Sequence, residues 1–277
     1  MGSEPPVTDA RERSVRAAAF GAFGGMLLRD LRVLTKERGR FLVRTISQPL
    51  LLVFVFTYVF PTIGQGVRGS AGQSFTDILV PGVVAIAVLI KGIQAVALPL
   101  VQDFGYTREI EDRVMAPLPV WGVAVEKIVA GAVQGLLAAL IVFPIVRFVP
   151  AEPVSLDISW PVLVAVLLLA PVLASSVGLM LGTFVEPDQV PLMFSVVILP
   201  VTFLGATYFP WADLGPIPWL QVAVLANPLV YMAEGFRMAL TPQFPHMAAG
   251  AVFAGLLACT LLAGYAGIKG FERRVLS

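Results

Sequence analysis

The chain has 277 residues, of which 57% are hydrophobic and 13% are charged, and its formal net charge is +1. Because a soluble domain carries about 25% charged residues, this composition argues against a soluble enzyme or a disordered scaffold and indicates an integral membrane protein. The near-neutral charge argues against a nucleic-acid partner, the single cysteine (Cys259) excludes an intrachain disulfide, and the single histidine (His246) excludes a histidine-rich metal site.

The N-terminal region divides into two parts. Residues 1–16 are polar and are predicted to be disordered. Beyond them, apolar residues recur every three or four positions between charged ones: Phe20, Phe23, Met26, Leu27, Leu31 and Leu34. This spacing predicts an amphipathic helix over 17–40 that lies in the membrane interface, either as a simple anchor or as an element that transmits movement. A cleavable signal peptide is not predicted, since forty residues precede the first apolar run.

Six apolar runs are long enough to cross the hydrocarbon core as helices, which takes about 20 residues. They are residues 41–63, 77–101, 120–149, 160–184, 189–211 and 247–269. The sequence therefore predicts an all-α polytopic membrane protein, with a six-span transmembrane domain over 41–277.

Lysine and arginine residues are concentrated on one side of the predicted spans. Twelve lie in segments 1–40, 102–119 and 270–277, whereas two, Arg68 and Arg237, lie in the loops of the opposite side. Because cytoplasmic loops carry the excess of positive charge, the sequence predicts a cell-membrane protein with both termini in the cytoplasm.

Loop 102–119 is too long for a tight turn. It is predicted to contain a short helix, with Glu109 and Glu111 in the first turn and with Pro117 and Pro119 stopping it before the third span. Its charges alternate in sign, so from the residues alone it is equally well explained as a solvated surface helix.

Segment 212–246 is apolar but is broken by prolines, among them Pro216, Pro218 and Pro228. The apolar pieces are about a dozen residues each, which is too short to cross a membrane. Two short re-entrant or interfacial helices are predicted, over 216–226 and 228–240. Glu234 and Arg237, spaced i, i+3, are predicted to stabilise the second of them.

No motif for catalysis is present. The sequence lacks a GxxxxGK[ST] phosphate loop, an HExxH zinc motif and a GxSxG nucleophile motif with its partners. The chain is therefore not predicted to be an enzyme, and no catalytic residue, metal site or cofactor is predicted in it.

Two sequence blocks carry a resemblance to a known family. One is TREIEDRVMAPLPVWGVAVEKIV after the second span, and the other is YFPWADLGPIPWLQVAVLANPLVYMAEGFRMAL before the sixth. The second block matches a recurrent family pattern at Phe209, Pro210, Pro218, Trp219, Leu220, Asn227, Pro228, Leu229, Tyr231 and Arg237. On these blocks the chain resembles the membrane subunit of type-2 ATP-binding-cassette (ABC) exporters, a group that includes drug, polyketide, lipid and polysaccharide permeases.

The resemblance implies partners and roles. A separate ABC ATPase dimer would hold ATP and Mg²⁺, and helix 17–40 would be a connecting helix. The coupling helix that docks on the ATPase would comprise Arg108, Glu109, Ile110, Glu111, Asp112 and Arg113. The re-entrant hairpin would help to gate release through Phe209, Pro210, Trp219, Asn227, Pro228, Tyr231, Glu234 and Arg237.

A second permease subunit, identical or homologous, would complete a translocation cavity lined mainly by the second and fifth spans, with Lys91, Gln94, Phe194 and Phe203. Lys91 lies about 15 Å deep in the second span, where a lysine costs about 2.5–3.5 kcal/mol. Two interpretations stay open. Lys91 and Gln94 face the cavity and contact the polar or acidic part of an amphipathic substrate, or Lys91 snorkels or pairs with Glu126. Arg44 and Gln48 are interpreted as interfacial.

Three functions are compatible with these predictions. The first is ATP-driven export of a hydrophobic or amphipathic compound (a drug, polyketide or lipid) from the cytoplasm or inner leaflet, in contact with membrane lipid. The second is export of a lipid-linked polysaccharide by the same fold. The third, ATP-independent secondary transport, would be favoured by inverted repeats and by several intramembrane carboxylates, and neither is found in the sequence.

Overall fold

A computed structural model of the protein describes residues 7–63, 74–107, 118–151 and 154–276. Within these ranges the regular secondary structure is helical, which confirms the all-α prediction. The helices are α1 Val7–Lys36, α2 Arg38–Thr62, α3 Phe75–Gln102, α4 Val120–Phe148, α5 Trp160–Phe184, α6 Pro187–Phe203, α7 Pro218–Ala223, α8 Pro228–Leu240 and α9 Ala249–Leu276.

Five helices in the described ranges are long and apolar enough to cross a membrane: α2, α3, α4, α5 and α9. The predicted fifth span, 189–211, is wrong at its end, because α6 stops at Phe203. Its 17 residues extend about 25 Å, near the lower limit for a spanning helix. The predicted sixth span corresponds to α9, which continues seven residues beyond the predicted end at 269.

The N-terminal helix also differs from its prediction. α1 begins at Val7, so residues 7–16, for which disorder is predicted, have a helical backbone, consistent with the alanine, arginine and glutamate in this stretch. It ends at Lys36, and the chain bends at Glu37, so residues 38–40 belong to α2 instead of the amphipathic helix.

Helix α3 is the centre of the bundle. It packs against α5, α4, α8 and α2, and it is the most deeply buried of the long helices, whereas α2 and α9 lie at the periphery. Two glycines of α5 make the central contact possible. A Cβ on Gly178 would lie 2.9 Å from Ile93 Cα, and one on Gly182 would lie 2.8 Å from Ala97 Cα. The two backbones are therefore in direct contact, as in other small-residue helix pairs of membranes.

Helix α2 carries a π-helical turn, Phe54–Val59, just before Pro61. Proline has no backbone N–H, so Pro61 cannot bond the carbonyl four residues before it, that of Thr57. That carbonyl instead accepts a hydrogen bond from the Ala151 N–H at 3.1 Å. The wide turn thus joins the end of α2 to the loop after α4.

The loop 154–159 ties the ends of two core helices together. Asp77, in the first turn of α3, accepts a hydrogen bond from the Ser155 N–H at 2.9 Å. Asp157 and Ser159 donate their N–H groups to the Leu240 and Ala239 carbonyls at the end of α8. Helix α8 is thereby held against α3.

Candidate functional site

The segment between α6 and α9 forms the predicted pair of short helices. Residues 211–214 form a 3₁₀ turn, and α7 is followed by a second one over 224–226. Asn227 then caps α8: its Oδ1 accepts from the Leu229 N–H at 2.9 Å, and its Nδ2 donates to the Val201 carbonyl of α6 at 2.7 Å. Pro228 occupies the first position of α8, where no N–H is needed.

Glu234 and Arg237 form a fully buried ion pair on α8. The two Glu234 carboxylate oxygens also accept from backbone N–H groups, Oε1 from Trp211 at 2.9 Å and Oε2 from Met247 at 2.7 Å. The pair therefore joins α8 to the 3₁₀ turn and to the entry of α9, which goes beyond the predicted stabilisation of one helix.

Arg237 also fixes the turn that ends α6. Its Nη2 donates to the Ala206 carbonyl at 3.0 Å. Ala206 has a φ of 53°, a left-handed conformation that residues with a Cβ adopt rarely. The next-door Gly205 packs so closely on the Leu229 side chain that a Cβ there would overlap it. The buried guanidinium thus stabilises an unfavourable backbone turn.

The other residues predicted in the gate lie around this ion pair. Pro210 is buried, Phe209 packs against the core, and the Tyr231 hydroxyl donates to the Leu225 carbonyl at 2.9 Å. Trp219, in contrast, is 72% exposed at the start of α7. An exposed tryptophan on a short helix is typical of a membrane–water interface.

Phe194 and Phe203, predicted to line the cavity, lie on α6. Phe194 packs partly against the core, and Phe203 is exposed. Phe203 stacks on Tyr208 with ring centroids 5.8 Å apart, and Tyr208 lies 6.3 Å from Phe56 of α2. Tyr208 was not predicted, because its contacts depend on the turn after α6 that the sequence does not reveal.

Lys91 and Gln94 share a cleft between α2 and α3, called here the Lys91 cleft. It is lined by Arg44, Thr45, Gln48, Pro49, Ile86, Ala87, Ile90, Lys91 and Gln94, and its volume is about 30 Å³. Lys91 is 9% exposed and lies 5.9 Å from the centroid of the Phe41 ring. The cleft unites Lys91 with Arg44 and Gln48, which sequence reasoning placed in the interface. The sequence signal that could have joined Arg44 and Gln48 to one site is their i, i+4 spacing in an apolar run.

Lys91 is not paired with Glu126, the alternative that the sequence left open. Among the described residues, the ammonium of Lys127 lies 3.5 Å from Glu126 and also contacts Asp30 of α1. Met26 of α1 packs on the neighbouring apolar cluster of α3, α4, α5 and α9. The predicted connecting helix is therefore fixed to α4 by an ion pair and by apolar contact.

Replacing Asp30 with asparagine is expected to loosen α1, because the mostly buried Lys127 ammonium loses a charged partner. We expect amide hydrogen exchange of residues 18–36 to become about tenfold faster, the equivalent of roughly 1.4 kcal/mol. The exposed pair between Glu37 and Arg40 gives the control, and Glu37→Gln is expected to leave exchange unchanged. Equal exchange in Asp30→Asn and Glu37→Gln would contradict a role for Asp30 in holding α1.

The six residues predicted in the coupling helix, Arg108, Glu109, Ile110, Glu111, Asp112 and Arg113, lie outside the described residues. The chain just before them is anchored. Phe104 packs edge-on against Phe271 of α9, and the Arg274 guanidinium lies 4.6 Å from the Phe104 ring centroid. Arg274 also donates to the Thr183 carbonyl at 2.6 Å. This C-terminal arginine, missed by sequence reasoning, joins the ends of three helices.

No group of three or more His, Cys, Asp or Glu side chains in the described ranges could hold a metal ion. Among the polar features of the described chain are the Lys91 cleft, the Glu234–Arg237 pair and the charges that fix α1.

Comparison with known proteins gives a consistent result. Residues 22–241 match the family model of the ABC-2 type transporter. The inner membrane transport permease YadH of Escherichia coli strain K12 is 30% identical over 210 residues, which covers 73% of this chain and 78% of YadH. The YadH proteins of Escherichia coli O157:H7 and Shigella flexneri match with the same identity and coverage. The matched family range includes both the Lys91 cleft and the Glu234–Arg237 pair.

Proposed function

The chain belongs to the ABC-2 type transporter family, and from this membership we propose that it is the permease half of an ATP-driven exporter. The resemblance on the two sequence blocks is thereby confirmed. Its long apolar helices and its inner-membrane relatives make it a multi-pass membrane protein and a permease of the ABC transporter family. The cargo that we propose is a hydrophobic or amphipathic compound, carried outward from the cytoplasm or the inner leaflet.

Within the structure, the observation that carries this proposal is the Lys91 cleft. The central helix of an apolar bundle holds a lysine and a glutamine that face a cavity opening beside α2, where Arg44 and Gln48 are exposed. Ionisable groups inside a membrane bundle usually mark the path of a substrate or an ion. The surrounding faces are apolar, so a ligand here would meet both polar and apolar surface.

A second permease subunit would cover the open side of this cleft. Helix α2 buries a narrow strip, Thr45, Pro49, Val53 and Thr57, and α6 buries Met193, Ile198 and Thr202. The rest of both helices exposes large apolar side chains, including Val43, Leu51, Val196 and Phe203. We propose that two copies, or two homologous chains, enclose the translocation cavity between these faces.

The motor in this proposal is a separate ABC ATPase that binds ATP and Mg²⁺. Its closure would press on the coupling helix 108–113, and α1 would move with α4 because Asp30 and Lys127 join them. Helix α3 continues into the loop that carries the coupling residues, so displacement there would be passed to the wall of the Lys91 cleft. This is a rigid-body mechanism of coupling between two states.

The hairpin of α7 and α8 is proposed as the gate on the releasing side. The Glu234–Arg237 pair and Asn227 hold the turn after α6 and the hairpin as one unit. Movement of α6 would therefore carry the hairpin with it. Trp219, exposed at the start of α7, would rest at the membrane surface.

Charge reversal in the coupling loop tests the motor. Arg108→Glu with Arg113→Glu is expected to reduce co-purification of a P-loop ATPase at least tenfold and to abolish ATP-driven transport. The reason is that these arginines are the first and last residues of the proposed docking helix. Co-purification is measured by mass spectrometry of affinity-tagged permease extracted from its native membrane. Transport is measured as flux in proteoliposomes that contain the same preparation.

Arg147→Glu, at the opposite end of α4, is the matched control and is expected to leave ATPase capture intact. Capture of the ATPase by the Arg108→Glu/Arg113→Glu variant at the wild-type level would contradict the coupling role. Solute movement by the chain alone, without any ATPase, would contradict the proposed function as a whole.

A further inference from the structure

We infer that the Lys91 cleft is a binding site for one compact anionic group, a carboxylate or a phosphate, at the head of an amphipathic molecule. This inference rests on the proposed function, since it names the class of cargo that such a permease would take. It also assigns Arg44 and Gln48 to the same site.

Charge balance is the first argument. Three lysine or arginine side chains are buried in the described part of the chain: Lys91, Lys127 and Arg237. Lys127 contacts Asp30 and Glu126, and Arg237 contacts Glu234. Lys91 forms no ion pair with any described carboxylate. Because a buried cation without a counter-ion is unfavourable, the site favours an anion supplied from outside.

The lining of the cleft points the same way. Arg44 brings a second cation to it, and no aspartate or glutamate of the described ranges lines it. Gln48 lies one turn after Arg44, and Gln94 lies one turn after Lys91, so each cation has an amide N–H donor beside it. The Thr45 hydroxyl donates to the Phe41 carbonyl at 2.6 Å and keeps its donor occupied. This collection of donors matches carboxylate and phosphate oxygens, which an arginine can bind through two parallel bonds.

The packing of α3 explains why Lys91 faces α2. The adjacent Gly92 lies against α5, where a Cβ would approach within 3.1 Å of the Ala174 carbonyl carbon. Successive residues of a helix point about 100° apart, so the contact of Gly92 with α5 directs Lys91 away from α5. The ammonium is therefore held in the cleft by the core contact of its neighbour.

Size restricts the ligand. A volume of about 30 Å³ holds about one or two water molecules, whereas a drug-sized ligand needs roughly 300–1,000 Å³. The cleft can therefore take a small headgroup but not a whole cargo molecule. The remainder would lie outside, along the apolar face of α2 that exposes Val43 and Leu51. A single acidic group on an apolar tail fits both surfaces.

The experiment uses the permease with its ATPase in phosphatidylcholine vesicles. The probes are a fluorescently labelled dodecanoate and its methyl ester, which differ in the charge of one end. Wild-type protein is expected to bind the acid at least tenfold more tightly than the ester, as measured by fluorescence titration. Lys91→Met is expected to weaken binding of the acid at least tenfold and to leave the ester unchanged, and Lys91→Arg is expected to retain most of the preference.

Lys36→Met, which removes an exposed lysine from the end of α1, is the control and is expected to change neither affinity. Lys91→Glu is expected to bind dodecyltrimethylammonium more tightly than dodecanoate. Equal binding of acid and ester by the wild type, or equal weakening of both by Lys91→Met, overturns the inference.

Transport separates this inference from the proposed function. ATP-driven movement of the ester without any preference for the acid would reject the anionic site and leave the exporter standing. Preference for the acid without ATP-driven movement of either probe would support the anionic site and reject the exporter. Adding phosphatidylglycerol to the vesicles distinguishes the source of the anion. If phosphatidylglycerol competes with the acid for the site, the anion is the headgroup of a resident membrane lipid. If ATP drives release of the acid, the anion is the headgroup of a cargo.

Discussion

Replacing Glu234 with alanine is expected to lower the free energy of unfolding by about 3–5 kcal/mol, because it leaves the buried Arg237 guanidinium without its counter-ion. The same change removes the acceptor for the Trp211 and Met247 N–H groups. It also weakens the hold on the Ala206 turn, since Arg237 is positioned by the carboxylate that is lost. Three segments would be released by one substitution.

The chain provides its own reporter for this experiment. Its single cysteine, Cys259, lies partly buried on α9 against the core, so a thiol-reactive fluorescent dye follows thermal unfolding in detergent. The matched control is Glu272, which pairs with Lys269 at the same i, i+3 spacing. This pair is solvent-accessible, with the lysine side chain 53% exposed. Glu272→Ala is expected to cost about 0–1 kcal/mol.

A second variant separates charge from hydrogen bonding. Glu234→Gln with Arg237→Met removes both charges and is expected to be more stable than Glu234→Ala, because no unpaired charge stays buried. An equal loss of stability in Glu234→Ala and Glu272→Ala would show that the buried pair does not hold the hairpin.

The general course of the fold could be predicted from local sequence. Hydropathy identified the long helices because each is either buried in the bundle or faces lipid over its whole length, and is therefore apolar throughout. The proline-broken hairpin could be predicted because Pro218 and Pro228 begin short helices and the pieces between them are too short to cross. The end of α6 could not, because residues 189–211 are apolar throughout. The turn there depends on Arg237, 31 residues farther along the chain.

The candidate site shows the same division between local and distant information. Helical spacing placed Lys91 and Gln94 on one face, and both line the cleft. Arg44 and Gln48 could not be joined to them, since the sequence does not say which side of α2 meets α3. The choice of Lys127 over Lys91 as the partner of Glu126 likewise depends on tertiary packing, as does the contact with Asp30, 97 residues away.

The contact of α3 with α5 gives the second large expected effect. Alanine at both Gly178 and Gly182 would put methyl groups 2.9 Å from Ile93 Cα and 2.8 Å from Ala97 Cα, against backbone that cannot rotate away. Two such overlaps cost about 2–6 kcal/mol, against up to about 2 kcal/mol of helix propensity that is gained. With the middle of this cost range set against the full propensity gain, we expect a net loss of about 2 kcal/mol.

Both the stability and the site are expected to respond to this change. The helices have to separate to relieve the overlap, so Gly92 loses its close contact with Ala174 of α5. The neighbouring Lys91 ammonium then shifts within the cleft. We expect lower thermal stability by the Cys259 dye together with weaker binding of the acidic probe relative to its ester. Gly25→Ala with Gly250→Ala is the control, because a Cβ at either glycine meets no atom within 4 Å, and it is expected to be neutral or slightly stabilising. Wild-type stability in the Gly178→Ala/Gly182→Ala variant would contradict direct backbone contact between α3 and α5, and with it the reason given for the direction of Lys91.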